Sequence, residues 1–227
     1  MNGATLSLLQ DAERNNCSSF PAELLQLVQG GAELLQLSSK SSSSSASVAF
    51  LEEEALLRLK EASAFDPVSW AGLLQSRSPE DDRPKREHVA FAHRAATCIY
   101  LSRVLLVINP MVQVTHEPEA YVGDIIYHLS FISQYDGLFE ASTWPALMAG
   151  AETGCVERRA WAARRFQDLW ESVPWALFRG AVEVLQGIWS RKEEHADSTA
   201  TRSDKYDGLR SNWLLDLRSM GVDWLII

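Results

Sequence analysis

The sequence predicts an all-α protein: a single multi-helix domain with no significant β-sheet. Three observations carry that expectation. Apolar residues recur at spacings of three and four along most of the chain. No run alternates apolar and polar residues as a half-buried strand does. Of the eight tryptophans only Trp70 precedes Trp144, so Trp144, Trp161, Trp170, Trp175, Trp189, Trp213 and Trp224 crowd the C-terminal part. Each indole can bury roughly 150–250 Å², which implies a large fixed core there.

The first 20 residues lack such periodicity and are expected to form a disordered N-terminal segment, with the domain proper over 21–227. From Pro21 to about Leu37, Leu24, Leu25, Val28, Leu34 and Leu35 mark a helix. Within it Ala-Glu-Leu-Leu-Gln-Leu occurs twice, split by Gly30-Gly31. Two copies are too few for a solenoid, and the glycine pair is expected to bend or break the helix. Ser38–Ser47 is almost pure serine and reads as a flexible loop. Leu51 to about Ala62 forms a short amphipathic helix, with Glu52-Glu53-Glu54 as its acidic first turn. Asp66-Pro67 has the form of an N-cap followed by proline at the first helical position, opening a helix over Val68–Gln75. Ser76–Pro84 reads as a charged loop.

The longest helix is expected from Lys85 to Ile108, with Phe91, Ala95, Cys98, Ser102, Leu105 and Ile108 on one face and Asn109-Pro110 as its stop. Pro118 to about Gln134 follows, with Val122, Ile125, Ile126, Leu129 and Ile132 as its stripe, and then a turn at Asp136-Gly137. The last block holds four helices. Phe139 to about Glu152 contains Trp144-Pro145. The next is marked by Val156, Ala160, Ala163, Phe166 and Trp170, and the third by Phe178, Val182, Leu185 and Trp189. A polar loop, Arg191–Ser203, precedes the fourth, marked by Tyr206, Leu209, Trp213, Leu217 and Met220. Gly221 suits the position just past its end. The terminal Trp224-Leu225-Ile226-Ile227 is expected to fold back on the bundle.

Composition narrows the function. At 46% hydrophobic and 22% charged residues, the chain is too apolar to be disordered. A net charge of -9 opposes a nucleic-acid surface, where affinity comes from Lys and Arg on phosphates. The three cysteines, Cys17, Cys98 and Cys155, form no C-x-x-C pair, so no zinc knuckle or redox dithiol is expected. Cys98 and Cys155 read as small buried thiols of a reducing compartment. The start, Met1–Thr5, lacks the basic region of a signal peptide. The apolar run Val104–Val112 is too short to span a bilayer, so no membrane partner is expected.

Residue patterns for chemistry are missing. There is no G-x-S-x-G, P-loop, G-x-G-x-x-G or H-E-x-x-H. Glu80-Asp81-Asp82-Arg83-Pro84 lacks the second aspartate at helical spacing that a magnesium site needs, and reads as a solvated loop. An all-α enzyme of the isoprenoid-synthase type, the remote alternative, needs paired aspartate motifs. His88 and His93, five apart, do not share a helix face. His128 reads as a hydrogen-bonded structural histidine. Arg158-Arg159 and Arg164-Arg165 read as a solvated face or as a patch for an acidic partner. No catalytic, cofactor-binding or metal-binding residue is assigned, and no cofactor.

One ordered set of signatures is specific. Trp144-Pro145, Ala149-Gly150 and Glu152 are followed by Arg159 and Trp161, then Val184-Leu185 with Ile188-Trp189, then Trp213 and the closing Gly221–Ile227. This order resembles the C-terminal half of the fungal-specific transcription factor domain, the regulatory middle homology region of zinc-cluster (Zn2Cys6) factors. The nearest likeness is to the arginine-metabolism regulator and acriflavine-sensitivity control class. The likeness runs from about Asp124 to the end, and more faintly back to Pro21–Leu25.

The resemblance implies a nuclear, non-enzymatic regulatory domain that meets co-regulators or a small-molecule effector and self-associates as a homo- or heterodimer. DNA would be bound only through a zinc cluster, whose six closely spaced cysteines this chain does not contain. The alternative is a stand-alone helical scaffold that dimerises with full-length factors and modulates them. Glu152, at a helix end, is expected to pair with Arg158 or Arg159 across Gly154.

Overall fold

The computed structural model describes residues 20–40, 45–73, 82–113, 117–199 and 212–221. Among these residues the fold is all-helical, with no strand. The helices are α1 (Ala22–Lys40), α2 (Ser45–Ala64), α3 (Pro67–Leu73), α4 (Arg83–Ile108), α5 (Pro118–Leu129), α6 (Thr143–Glu152), α7 (Val156–Ser172), α8 (Ala176–Thr199) and α9 (Trp213–Met220). A 3-10 turn, Phe139–Ser142, leads into α6. The expectations for Cys17, Leu74–Asp81, Ala200–Ser203, Tyr206, Leu209 and Trp224–Ile227 fall outside the described residues, as do most of the N-terminal segment and Ser41–Ser44.

Helix α4 is the axis of the domain. It packs against α1, α2, α3, α5, α6 and α9. Being enclosed, it buries Val89, Ala90, Ala92, Ala96, Ile99, Leu101 and Val104 besides the expected face. Its buried residues therefore extend beyond the one expected face, as in a helix covered on most sides. By length and composition α4 could cross a membrane; here 72% of its apolar window is buried inside the domain. Phe91, expected in its core face, is only half-buried. Helix α6 is the second hub, against α4, α5, α7 and α8, and Pro145–Glu152 are all buried.

Local signals place several boundaries. The Asp66 carboxylate accepts from the backbone N–H groups of Val68 and Ser69, capping α3 ahead of Pro67. Asn109 ends α4 before Pro110. Gly221 takes the left-handed conformation past α9, φ 69°. The α5 stripe stands, except that the helix ends at Leu129 and Ile132 is buried from the following turn.

Other expectations are corrected. Gly30-Gly31 does not break α1, which is continuous and includes Ser38–Lys40 of the serine run; Ser45–Ser47 belong to α2. The glycines are there for closeness. A Cβ on Gly31 would lie 2.8 Å from Tyr100 Cε1 and 3.0 Å from Leu101 Cδ2, both on buried side chains of α4. Gly31→Ala is therefore expected to cost about 1–3 kcal/mol by overpacking, despite alanine's better helix propensity. Chemical denaturation checks the sign: a gain in stability contradicts this packing.

Glu52-Glu53-Glu54 sit inside α2 rather than in its first turn, because the helix starts at Ser45. Helix α4 starts at Arg83, so Pro84 belongs to its first turn. Val156 and Ala160 are exposed, and the core face of α7 is Ala162, Phe166 and Leu169. The polar loop expected from Arg191 is helical to Thr199. Its first residues are anchored: Arg191 to Asp216 and Ser219, Lys192 to the end of α6, Glu193 to Arg159. Trp213 is fully buried, while Trp144, Trp161, Trp170 and Trp189 are half-buried rings packed on the core, and Trp175 is exposed.

Candidate functional site

The signature residues converge where α6 ends. Thr143–Glu152 is short and made mostly of small or apolar residues, so neighbours close in around it. A Cβ on Gly150 would lie 2.9 Å from Leu185 Cδ1 and 3.0 Å from Ala162 Cβ, which keeps this position small. The Gly150 carbonyl accepts the Trp189 indole N–H at 2.8 Å. The Ala-Gly step thus lets α7 and α8 approach and supplies an acceptor to α8.

Glu152 follows, 6% exposed. Its partner is not Arg158 or Arg159 across Gly154, as expected, but Arg103 on α4. The guanidinium forks onto the carboxylate, Nε to Oε2 at 2.8 Å and a second nitrogen to Oε1. The Trp213 indole N–H donates to Oε2 at 2.8 Å. Lys192 donates to the carbonyls of Ala151 and Glu152 at 2.8 and 2.7 Å, a cation at the negative end of α6. The Asn212 amide donates to the Arg103 carbonyl at 3.0 Å, while its oxygen caps α9. Three helices, α4, α6 and α9, are joined at one carboxylate, and Lys192 ties α8 to the carbonyls of the same helix end.

Burial by itself pushes the Glu152 carboxyl up. The Arg103 bonds and charge, the indole N–H and Lys192 outweigh it and hold it below the usual range. Lys192 is pushed down to about 8 by burial, against the pull of Glu152.

The two arginine pairs are mostly engaged within the domain. Arg158 pairs with Glu119 at 2.7 Å. Arg159 pairs with Glu193 and lies over the Trp189 ring. Arg165 donates to the carbonyls of Ile132 and Leu129 and covers Phe139; burial lowers it to about 10, so it stays charged at neutral pH. Arg164 is exposed. The face reads as staples from α7 to its neighbours.

Trp144 lies against α4. Its ring stacks near His93 on α4, centroids 6.0 Å apart, with Phe20 at 5.0 Å. His93 is buried; its Nε2 meets the Ala141 carbonyl at 3.0 Å, and its Nδ1 has no hydrogen-bond partner among the described residues. His88 and His128, unlinked in the sequence reading, meet Nδ1 to Nδ1 at 2.9 Å. That contact requires one ring to donate and the other to accept. Each ring is stacked on a phenylalanine, His88 on Phe131 and His128 on Phe91. Cys98 is buried as expected, but Cys155 is half-buried ahead of α7 with its thiol donating to Glu157. Among the described residues no group of three or more His, Cys, Asp and Glu side chains could hold a metal.

These histidines set an acid limit. Burial lowers His93 to about 3, and His128 is lowered to about 4 by burial, then by His88 and Arg94. Both folded values lie below the unfolded value near 6.5, so the unfolded chain binds more protons and stability falls as pH drops below about 6.5. For His93 alone the loss is about 2 kcal/mol by pH 5. Denaturation midpoints at pH 7.5 and 5 should differ accordingly, and His93→Phe should reduce the difference. A midpoint that rises on acidification contradicts this sign.

The model of the fungal specific transcription factor domain matches residues 32–226. The acriflavine sensitivity control protein acr-2 of Neurospora crassa is 30% identical over 224 residues, 97% of this chain and 36% of that protein. The chain thus spans about a third of that relative's length. No solved structure matches. The match takes in the second half of α1 and every helix after it, including all the residues that meet at Glu152, and the chain belongs to the fungal specific transcription factor domain family.

Proposed function

We propose that this chain is the regulatory and interaction domain of a fungal zinc-cluster-type transcription factor, acting in the nucleus without catalysis. Membership of a transcription-factor family over most of the chain carries the reading. Burial of Pro145, Ala149, Gly150, Glu152, Leu185, Ile188 and Trp213 supports it, since these signature residues fill a core. On this reading the domain meets co-regulators or a small-molecule effector, forms homo- or heterodimers, and leaves sequence-specific DNA contact to a zinc cluster. A stand-alone scaffold that modulates full-length factors uses the same domain and differs only in its attachment.

The test is a fusion to an unrelated DNA-binding domain in fungal cells, with a reporter gene downstream of that domain's site. Transcription should rise or fall relative to the DNA-binding domain alone, and a fluorescent fusion should collect in the nucleus. An inert fusion that folds and enters the nucleus overturns the regulatory reading.

A further inference from the structure

Helices α1 and α2 form an antiparallel pair with an open groove of about 310 Å³ between them. Leu27 and Leu57 are its apolar side chains, beside Gln26, Gly30 and charged residues. Leu57 is 50% exposed. Further apolar side chains are exposed past the cavity. Phe50, two turns before Leu57 on the same face of α2, is 60% exposed, and Leu37, two turns after Gly30 on α1, is 51% exposed. From Leu27 to Leu37 the seam runs about 15 Å, the length of a helix of nearly three turns. Helix α2 buries only Leu51, Ala55 and Ala62, so a second apolar face is left over.

The rim is acidic. Glu33, Glu54 and Glu61 border the groove, and the cation among its lining residues, Arg58, is tied to Glu54 at 2.6 Å. Arg58 also lies flat on α1 where a Cβ on Gly30 would come within 2.6 Å of its Nε. An apolar seam flanked by carboxylates suits a helix with an apolar face and basic flanks. The chain itself is a poor source of such a helix. Residues 200–211, the most basic stretch outside the described residues, hold Arg202, Lys205 and Arg210 against Asp204 and Asp207. A second copy would carry the same negative charge, -9, into an acidic groove.

We propose that the α1–α2 seam is a docking site for a basic, amphipathic helix of a partner protein. This deepens the regulatory reading, on which it rests, by giving a co-regulator contact a place and a chemistry. The seam should receive the partner's apolar side chains at i, i+3, i+4 and i+7, with its Lys or Arg residues on Glu33 and Glu61.

The test uses the full chain and a fluorescent synthetic helix of about four turns made of Leu on one face and Lys on the other, read by anisotropy. Glu33→Lys with Glu61→Lys should weaken binding about tenfold or more. Leu57→Ser should weaken it several-fold, because charge alone does not hold the peptide. Glu183→Lys, an exposed glutamate on α8, should change it little, and a Leu/Glu peptide should not bind. Circular dichroism of each variant checks that the helices remain.

Weakening by Glu183→Lys of half or more of the seam pair's effect on a logarithmic scale overturns the proposal, since the single change carries half the charge and the peptide then reads only net charge. So do indifference to Leu57→Ser and absence of binding. The reporter outcome is separate: an inert reporter with intact seam binding removes the transcription reading, and an active reporter without seam binding removes only the docking site.

Discussion

Replacing Arg103 with alanine should destabilise the domain by about 3–5 kcal/mol, because it leaves the Glu152 carboxylate buried and short of its main partner. In a chain of this length that corresponds to a fall in melting temperature of roughly 6–20 °C. The size of the effect comes from desolvation. Glu152 is 6% exposed, and water cannot replace the two guanidinium bonds without opening the contact between α4 and α6. The paired change Arg103→Met with Glu152→Leu should recover much of the loss, since replacing both buried charges with apolar groups removes the penalty with the attraction. An Arg103→Ala protein that melts like the wild type contradicts the assignment of Arg103 as the partner.

Trp213→Ala should cost a similar amount, about 3–5 kcal/mol, through the cavity it leaves. Trp213 is fully buried and is the first residue of α9, so the loss should also release α9 from the domain. Trp213→Phe separates the two parts of its role. It keeps most of the buried ring but removes the indole N–H from Glu152, worth about 1.5–3 kcal/mol for a bond to a charged group. Calorimetry of the two variants should rank alanine well below phenylalanine, with phenylalanine below wild type. If phenylalanine matches wild type, the bond to Glu152 contributes nothing.

The helical class and most element positions are legible in the sequence because they rest on local signals. Asp66-Pro67, Asn109-Pro110 and Gly221 act through their own backbone and nearest neighbours, and the structure has them where the sequence reading does. Gly30-Gly31 misleads for the opposite reason. Its role is to admit the Arg58 and Tyr100 side chains, which arrive from elsewhere in the chain. The stretch after Arg191 reads as a loop because it is polar, yet Arg191, Lys192 and Glu193 each bond to a different helix and carry α8 onward.

The candidate site is half legible. Its carboxylate and its small Ala-Gly step stand out in the sequence, and Glu152 at a helix end calls for compensation. The arginines next in sequence are the obvious partners and the wrong ones. The better signal is Arg103, a lone charge in Leu101–Ile108, which is otherwise uncharged and mostly apolar. A charge that deep in a core helix implies a buried counter-ion. The His88–His128 contact has no such signal, since each residue is an ordinary surface-to-core histidine on its own helix.

On the proposed function, the Trp144-to-Glu152 signature serves the fold, while regulation acts through surfaces the fold presents. Thermal melting of Glu152→Ala and Trp144→Ala beside wild type, with the reporter response of the same fusions, tests it most directly. Glu152→Ala should melt lower by roughly 6–20 °C, Trp144→Ala, whose ring is only half-buried, should melt lower by less, and the reporter response should fall only with the folded fraction. Wild-type melting temperatures for both, with the reporter response lost, would instead make the signature a binding site.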